Sequence, residues 1–156
     1  MKTLIVYATK HGAAGEVAQR IAARIKGAEV RDLGKGNISP ADYDCVIIGA
    51  SVYAGSIRKE AKAFVSQNAA VLRERKLGLF ISGMETKNEK TYFEANFPAD
   101  ILEKAKAASL LGGIFDPKKA SAMDRLIMRL VAKKKLSYIN TIDDSKIEQF
   151  AKTMQA

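Results

Sequence analysis

Short apolar runs alternate along this chain with segments in which apolar side chains recur every three or four residues, the pattern of strands interleaved with amphipathic helices. Residues 2–7 read as a first strand, apolar at nearly every position, as a strand covered on both faces should be. Val17, Ala18, Ile21, Ala22 and Ile25 then recur at helical spacing, and Gly27 closes that helix. Residues 28–33 form a weaker strand at an edge, and a turn-rich connection follows over 34–44. Cys45, Val46, Ile47 and Ile48 are the clearest buried strand, halted by Gly49. A helix from about Ile57 puts Ile57, Ala61, Phe64, Val65, Asn68 and Leu72 on one face. Residues 77–81 are the next strand, ending at Ser82 and Gly83, and a helix over about 99–108 leads into a fifth strand over 109–115. Met123, Leu126, Ile127, Leu130 and Val131 mark another helix, and Ile147, Phe150, Ala151 and Met154 a terminal one. Asp143 and Asp144 at its start suit a helix N-terminus, where the dipole favours negative charge.

Strands alternating with helices imply parallel pairing through crossover helices, hence an α/β fold with a doubly wound, five-stranded parallel sheet. At 156 residues, with 47% hydrophobic side chains and no linker or repeat, one domain over 1–156 is expected. Open sheets of this kind bind ligands beyond the carboxyl ends of the strands, where the strand order reverses. The loops that matter are therefore those after the first, third and fourth strands.

The first of these, residues 8–15, runs from strand into helix and offers Thr9, Lys10, His11, Gly12, Ala13 and Ala14. Hydroxyl and backbone N–H groups there can wrap a phosphate, helped by the positive end of the helix dipole. The loop is neither a Walker A motif nor a dinucleotide fingerprint. The second, residues 49–56, carries Ser51, Tyr53, Ala54 and Gly55; Tyr53 offers a flat face for an aromatic ligand and Gly55 allows close approach. The third, residues 82–87, adds Ser82, Gly83, Met84 and Glu85. Three such loops at neighbouring strand ends favour a planar ligand that bears a phosphate.

The stretch Leu4-Ile5-Val6-Tyr7-Ala8-Thr9-Lys10-His11-Gly12 resembles the entry motif of flavodoxins, and the likeness extends over essentially the whole chain. It implies strand order 2-1-3-4-5 and FMN as cofactor, its phosphate in the first loop, its ring between Ser51, Tyr53, Ala54 and Gly55 on one side and Ser82, Gly83, Met84 and Glu85 on the other. Ala14 stands where that family's pattern has a phosphate-binding threonine. Within the fold, residues 43–51 with Tyr53 and Gly55, and Asp124-Arg125-Leu126-Ile127-Met128-Arg129-Leu130, resemble menaquinone-dependent protoporphyrinogen oxidase. That likeness implies an FMN-dependent oxidoreductase that passes electrons from a reduced substrate to a quinone or another acceptor. The competing readings are a flavodoxin-type electron carrier without its own substrate and an interaction module that has lost FMN. No residue is assigned as a catalytic acid or base.

Charge changes this picture in one place. The chain is +9 overall, and residues 118–135 hold seven basic side chains (Lys118, Lys119, Arg125, Arg129, Lys133, Lys134, Lys135) against one acid, Asp124. This basic helix is either a solvated outer helix over the sheet or an interfacial helix that meets anionic lipid. Nucleic acid is not expected as a partner, since no nucleic-acid-binding motif accompanies the charge. One cysteine and one histidine leave neither a disulfide nor a metal site to expect, and Cys45 reads as a buried strand residue. His11 stays open between a hydrogen-bond donor to phosphate, an acid near the flavin and an exposed loop residue with no catalytic task. The expected location is cytoplasmic, or peripheral on the inner face of the membrane.

Overall fold

The computed structural model describes residues 1–85, 87–119, 121–132 and 138–156. Its main sheet contains β1 (Thr3–Ala8), β2 (Glu29–Asp32), β3 (Cys45–Tyr53), β5 (Lys76–Ser82) and β6 (Ala105–Leu110), all parallel, in the order β2-β1-β3-β5-β6. This is the expected 2-1-3-4-5 path once β4 (Ser56–Ile57), a short antiparallel partner of the end of β3, is set aside. Helices α1 (Ala13–Ala22), α2 (Lys59–Arg73), α3 (Glu89–Asn96), α4 (Ala99–Lys104) and α6 (Asp144–Gln155) pack around the sheet. Helix α5 (Ala122–Ala132) lies in an excursion between β7 (Ile114–Phe115) and β8 (Ile139–Asn140), which pair antiparallel.

Strand alternation explains why the apolar runs are continuous. Leu4, Val6, Val46, Ile48, Leu79 and Ile81 face a core shared with Ala61, Phe64, Val65 and Leu72 of α2, Phe93 of α3 and Ile101 of α4. Ile5, Cys45, Ile47 and Phe80 face the opposite core, shared with Val17, Ala18 and Ile21 of α1 and Ile147, Phe150 and Met154 of α6. Each large aliphatic side chain so removed from water contributes about 1.5–3 kcal/mol, which makes a strand buried on both faces the natural centre of the sheet. Cys45 is fully buried, and burial pushes its thiol up, consistent with the packing role. Asp143 caps α6, its carboxylate accepting the Lys146 N–H at 3.0 Å.

Several sequence-based expectations need correction: α1 ends at Ala22, so Gly27 does not close it and Ile25 lies beyond the helix. Gly49 does not halt its strand; β3 runs on to Tyr53. Ile57 belongs to β4, and the helix starts only at Lys59. The expected helix over 99–108 ends at Lys104, and the fifth strand occupies 105–110 instead of 109–115. Alanine and lysine favour helix there, but pairing from Leu77↔Ala105 to Ile81↔Leu110 overrides the local preference. Helix α3 was not foreseen, since its polar sequence gives little apolar period.

Gly49 persists within the strand for a packing reason. It pairs with Phe80 across the β3–β5 ladder, and a Cβ built on it would fall 1.8 Å from the Phe80 ring. Phe80 therefore lies across β3, with its edge to Phe150 at 6.4 Å between centroids. Gly49→Ala is expected to destabilise the fold by about 3 kcal/mol, the upper range for overpacking a filled core. Urea denaturation would show this as a lower midpoint with unchanged slope. A midpoint equal to that of the wild type would mean that Phe80 can leave its place without loss.

Candidate functional site

The carboxyl ends of β1, β3 and β5 open into a cavity of about 400 Å³. Of the residues expected there, Thr9, Lys10, His11, Ala13, Ser51, Tyr53, Ala54, Gly55, Ser82, Gly83, Met84 and Glu85 line it. Gly12 and Ala14 do not. Val52, Tyr92, Gly113, Ile114, Phe115 and Asp124, which the sequence reading did not place in the site, complete the wall. A larger groove of about 470 Å³ between α2, α3 and α4 receives none of these loops, and an Arg73–Asp100 ion pair at 2.5 Å lies on its lining.

The first loop is shaped by its own hydrogen bonds. Gly12 takes a left-handed conformation (φ 100°) and donates its N–H to Thr9 Oγ1 at 2.9 Å, while the Lys10 N–H reaches Ser51 Oγ at 3.2 Å and ties the loop to the end of β3. Helix α1 begins at Ala13, and no side chain caps it. Among the described residues, the N–H groups of Ala13, Ala14 and Gly15 find no acceptor. A helix start with three unspent donors is where an anion binds best. The Ala14 methyl, by contrast, is buried in the core beneath α1. What this residue leaves at the helix start is its backbone N–H.

The second loop is a β-hairpin. Tyr53 pairs with Ser56, and Ala54 (φ 50°) and Gly55 (φ 82°) form the two-residue turn between them, both left-handed as a type I′ turn requires. The buried Asn96 of α3 holds this tip: its side-chain amide donates to the Gly55 carbonyl at 3.0 Å and the Tyr92 carbonyl at 2.8 Å, and its oxygen accepts the Ile57 N–H at 3.0 Å. Tyr53 is thus presented on a braced hairpin. Behind the third loop, Gly83 and the segment after β6 touch backbone to backbone: a Cβ on Gly113 would lie 3.0 Å from Gly83, and the Gly83 N–H bonds the Gly112 carbonyl at 3.2 Å. This contact brings Ile114 and Phe115 to the cavity.

The site's strongest electrostatic feature comes from α5. Asp124, only 5% exposed, accepts Lys10 Nζ at 2.6 Å on Oδ1 and contacts His11 Nε2 at 2.8 Å through Oδ2. It also accepts the Ser121 N–H at 3.2 Å, while Ser121 Oγ accepts the Asp124 N–H at 3.1 Å, a reciprocal cap at the start of α5. Burial alone would raise the Asp124 carboxyl; the donors Lys10, His11 and Ser121 outweigh it and hold the group well below the usual carboxylate range. The Lys10 ammonium also sits 3.8 Å from the centre of the Tyr53 ring. Burial pushes the Tyr53 hydroxyl up, with the Asp124 carboxylate acting in the same direction. Asp124 could have been found in the sequence as the one acid in the basic segment; nothing in the sequence showed which loop it would meet.

Of the apolar row expected on the basic helix, Met123, Leu126 and Leu130 do not serve the core. They are 61%, 52% and 70% exposed, beside exposed Arg125 and Arg129. Lys133, Lys134 and Lys135 lie outside the described residues, as do the side chains of Ile127 and Val131. Among the described residues, no group of three or more His, Cys, Asp or Glu side chains could hold a metal ion, and no helix is long and apolar enough to cross a membrane.

Comparison with known proteins agrees with this geometry. The oxidised flavodoxin 1 of Bacillus cereus superposes with a TM-score of 0.61 at 15% identity, covering 99% of this chain and 97% of that one. The Fusobacterium nucleatum flavodoxin bound to flavin mononucleotide gives 0.52 at 11% identity, covering 99% and 98%. A flavoprotein of Lactobacillus acidophilus NCFM in complex with FMN gives 0.50 at 20% identity, covering 71% and 90%. Identities this low speak for the fold alone. A search of curated proteins returns no match. The model of the flavodoxin domain family, however, matches residues 4–140, from the first strand to the last strand pair, and so the chain belongs to the flavodoxin domain family.

Proposed function

We propose that this chain is an FMN-binding electron-transfer protein of the flavodoxin type, with the flavin in the cavity at the strand ends. The observation that carries this reading is the set of three unspent N–H donors on Ala13, Ala14 and Gly15 at the end of the first strand, beside a cavity that also contains Tyr53. These donors fit a phosphate, and Thr9 adds a hydroxyl. Tyr53 offers a ring to stack on, held by the hairpin that Asn96 braces. FMN, when bound, supplies the electron exchange; the protein sets its position and surroundings. Tyr92, Ile114 and Phe115 add largely apolar wall to the cavity.

A narrower reading, an oxidoreductase resembling menaquinone-dependent protoporphyrinogen oxidase that hands electrons to a quinone, is favoured by helix α5. Its exposed Met123, Leu126 and Leu130 beside Arg125 and Arg129 fit an anionic bilayer surface, where a membrane quinone would be within reach. The reading that FMN has been lost is decided by flavin binding itself.

Apo-protein titrated with flavins should bind FMN at least about tenfold tighter than riboflavin, the value of one charge-assisted hydrogen-bond set. Equal affinities would remove the phosphate from the first loop. Tyr53→Ala should weaken FMN about two- to tenfold, the worth of an aromatic stack beyond its buried area, and shift the flavin's midpoint potential. An unchanged affinity and potential would put the stacking residue elsewhere. Wild-type protein should co-sediment with vesicles containing phosphatidylserine at low salt, and Arg125→Gln/Arg129→Gln should lose the salt-sensitive part of this while keeping FMN. Because the leucines are exposed, part of the binding should survive salt that screens charges beyond about 8 Å, and Leu126→Ser/Leu130→Ser should remove that part. Protein that ignores such vesicles at any salt would leave α5 without a membrane role.

A further inference from the structure

The two basic side chains of the first loop are already engaged. Lys10 and His11 are the charged or ionisable donors between Ala8 and Gly15, and both contact the same carboxylate, Asp124 of α5. The backbone donors beside them remain unspent. A phosphate seated on α1 would therefore meet N–H groups at once, but no cation unless Asp124 gives one up. We propose that Asp124 is an internal competitor for the ligand's phosphate, so that phosphate binding at the first loop and the anchoring of helix α5 oppose each other. The proposal rests on the FMN reading above and deepens it.

The chemistry leaves few alternatives to exchange. Asp124 is 5% exposed and carries its charge on Lys10 and His11. A phosphate brought onto the same ammonium would place two anions around one cation, and like charges at contact distance in a partly buried site repel strongly. Lys10 has three N–H donors and could span both anions, but the repulsion between them is relieved when it leaves Asp124. The carboxylate keeps its reciprocal cap with Ser121 and its contact with His11 but loses the Lys10 bond, one of the two side-chain links between the first loop and the first turn of α5. Riboflavin, which has no phosphate, would leave the pair in place. Asp124 thus sets how much the ligand's phosphate is worth, and its position on α5 makes the state of that helix depend on which ligand is bound.

Wild type, Asp124→Asn, Lys10→Gln and the double variant would be titrated with FMN and with riboflavin. Asparagine retains an oxygen for the Ser121 N–H, and denaturant midpoints would confirm that each variant folds. Asp124→Asn should tighten FMN about tenfold, leave riboflavin unchanged, and tighten FMN clearly less in the Lys10→Gln background, where only His11 remains to be released. Unchanged or weaker FMN binding in Asp124→Asn, with a wild type that prefers FMN, overturns the competition and leaves the cofactor reading standing. A wild type that binds FMN no better than riboflavin overturns both. A second measurement needs no variant: the chain has one histidine, so its ring resonances report His11 alone. FMN and inorganic phosphate should both move them and speed amide exchange over residues 122–132, whereas riboflavin should leave the exchange unchanged. Exchange over α5 that is the same with FMN and with riboflavin would overturn the proposal.

Discussion

The site depends on a single change of direction in the sheet. From β1 the chain first moves outward to β2, then crosses back to β3 on the other side, and the later strands continue that way. Parallel strands need crossover helices, so the helix after β1 and the helix after β3 lie on opposite faces. The loops that lead into them must part where β1 and β3 lie side by side. The cavity is the gap that this parting leaves, and no local sequence motif is required to create it.

What fills the gap is set by close backbone approaches. Gly113 against Gly83 brings the segment after β6 up to the third loop, and Gly49 lets Phe80 lie across β3 directly below the second. Gly83 and Gly113 line the cavity themselves, whereas Gly49 does not. These small residues decide how far the walls stand apart, and the braced hairpin decides where Tyr53 is held between them.

Much of this was legible in the sequence because burial on two faces leaves an unmistakable trace. The runs at residues 4–6, 45–48 and 77–81 could only be central strands, and with those strands in place the three loops and most of their residues followed. The failures share a cause: each residue concerned was chosen by something distant in the sequence. Residues 105–110 are helical by preference and extended by pairing with β5. Gly49 reads as a strand end and is instead a space for a ring from the next strand. Ala14 reads as a missing hydroxyl, whereas its methyl fills the core and only its N–H is left for a ligand. Asp124 lies more than a hundred residues from the lysine and histidine it holds.

The antiparallel pair of β7 and β8 gives the excursion between them a particular status. Ile114 pairs with Asn140 and Phe115 with Ile139, and the Thr141 N–H bonds the Gly113 carbonyl at 2.8 Å. Chain that leaves the sheet after Phe115 thus returns to the place it left. A tight turn could join the two strands, closing a shorter loop at a smaller entropic cost, and the five parallel strands would not be disturbed. Such a pinned excursion can be lengthened, recharged or cut back in descent without renegotiating the core. The shortened chain would keep its five parallel strands and their three loops, and would lose from the cavity wall the buried anion that Lys10 and His11 now share.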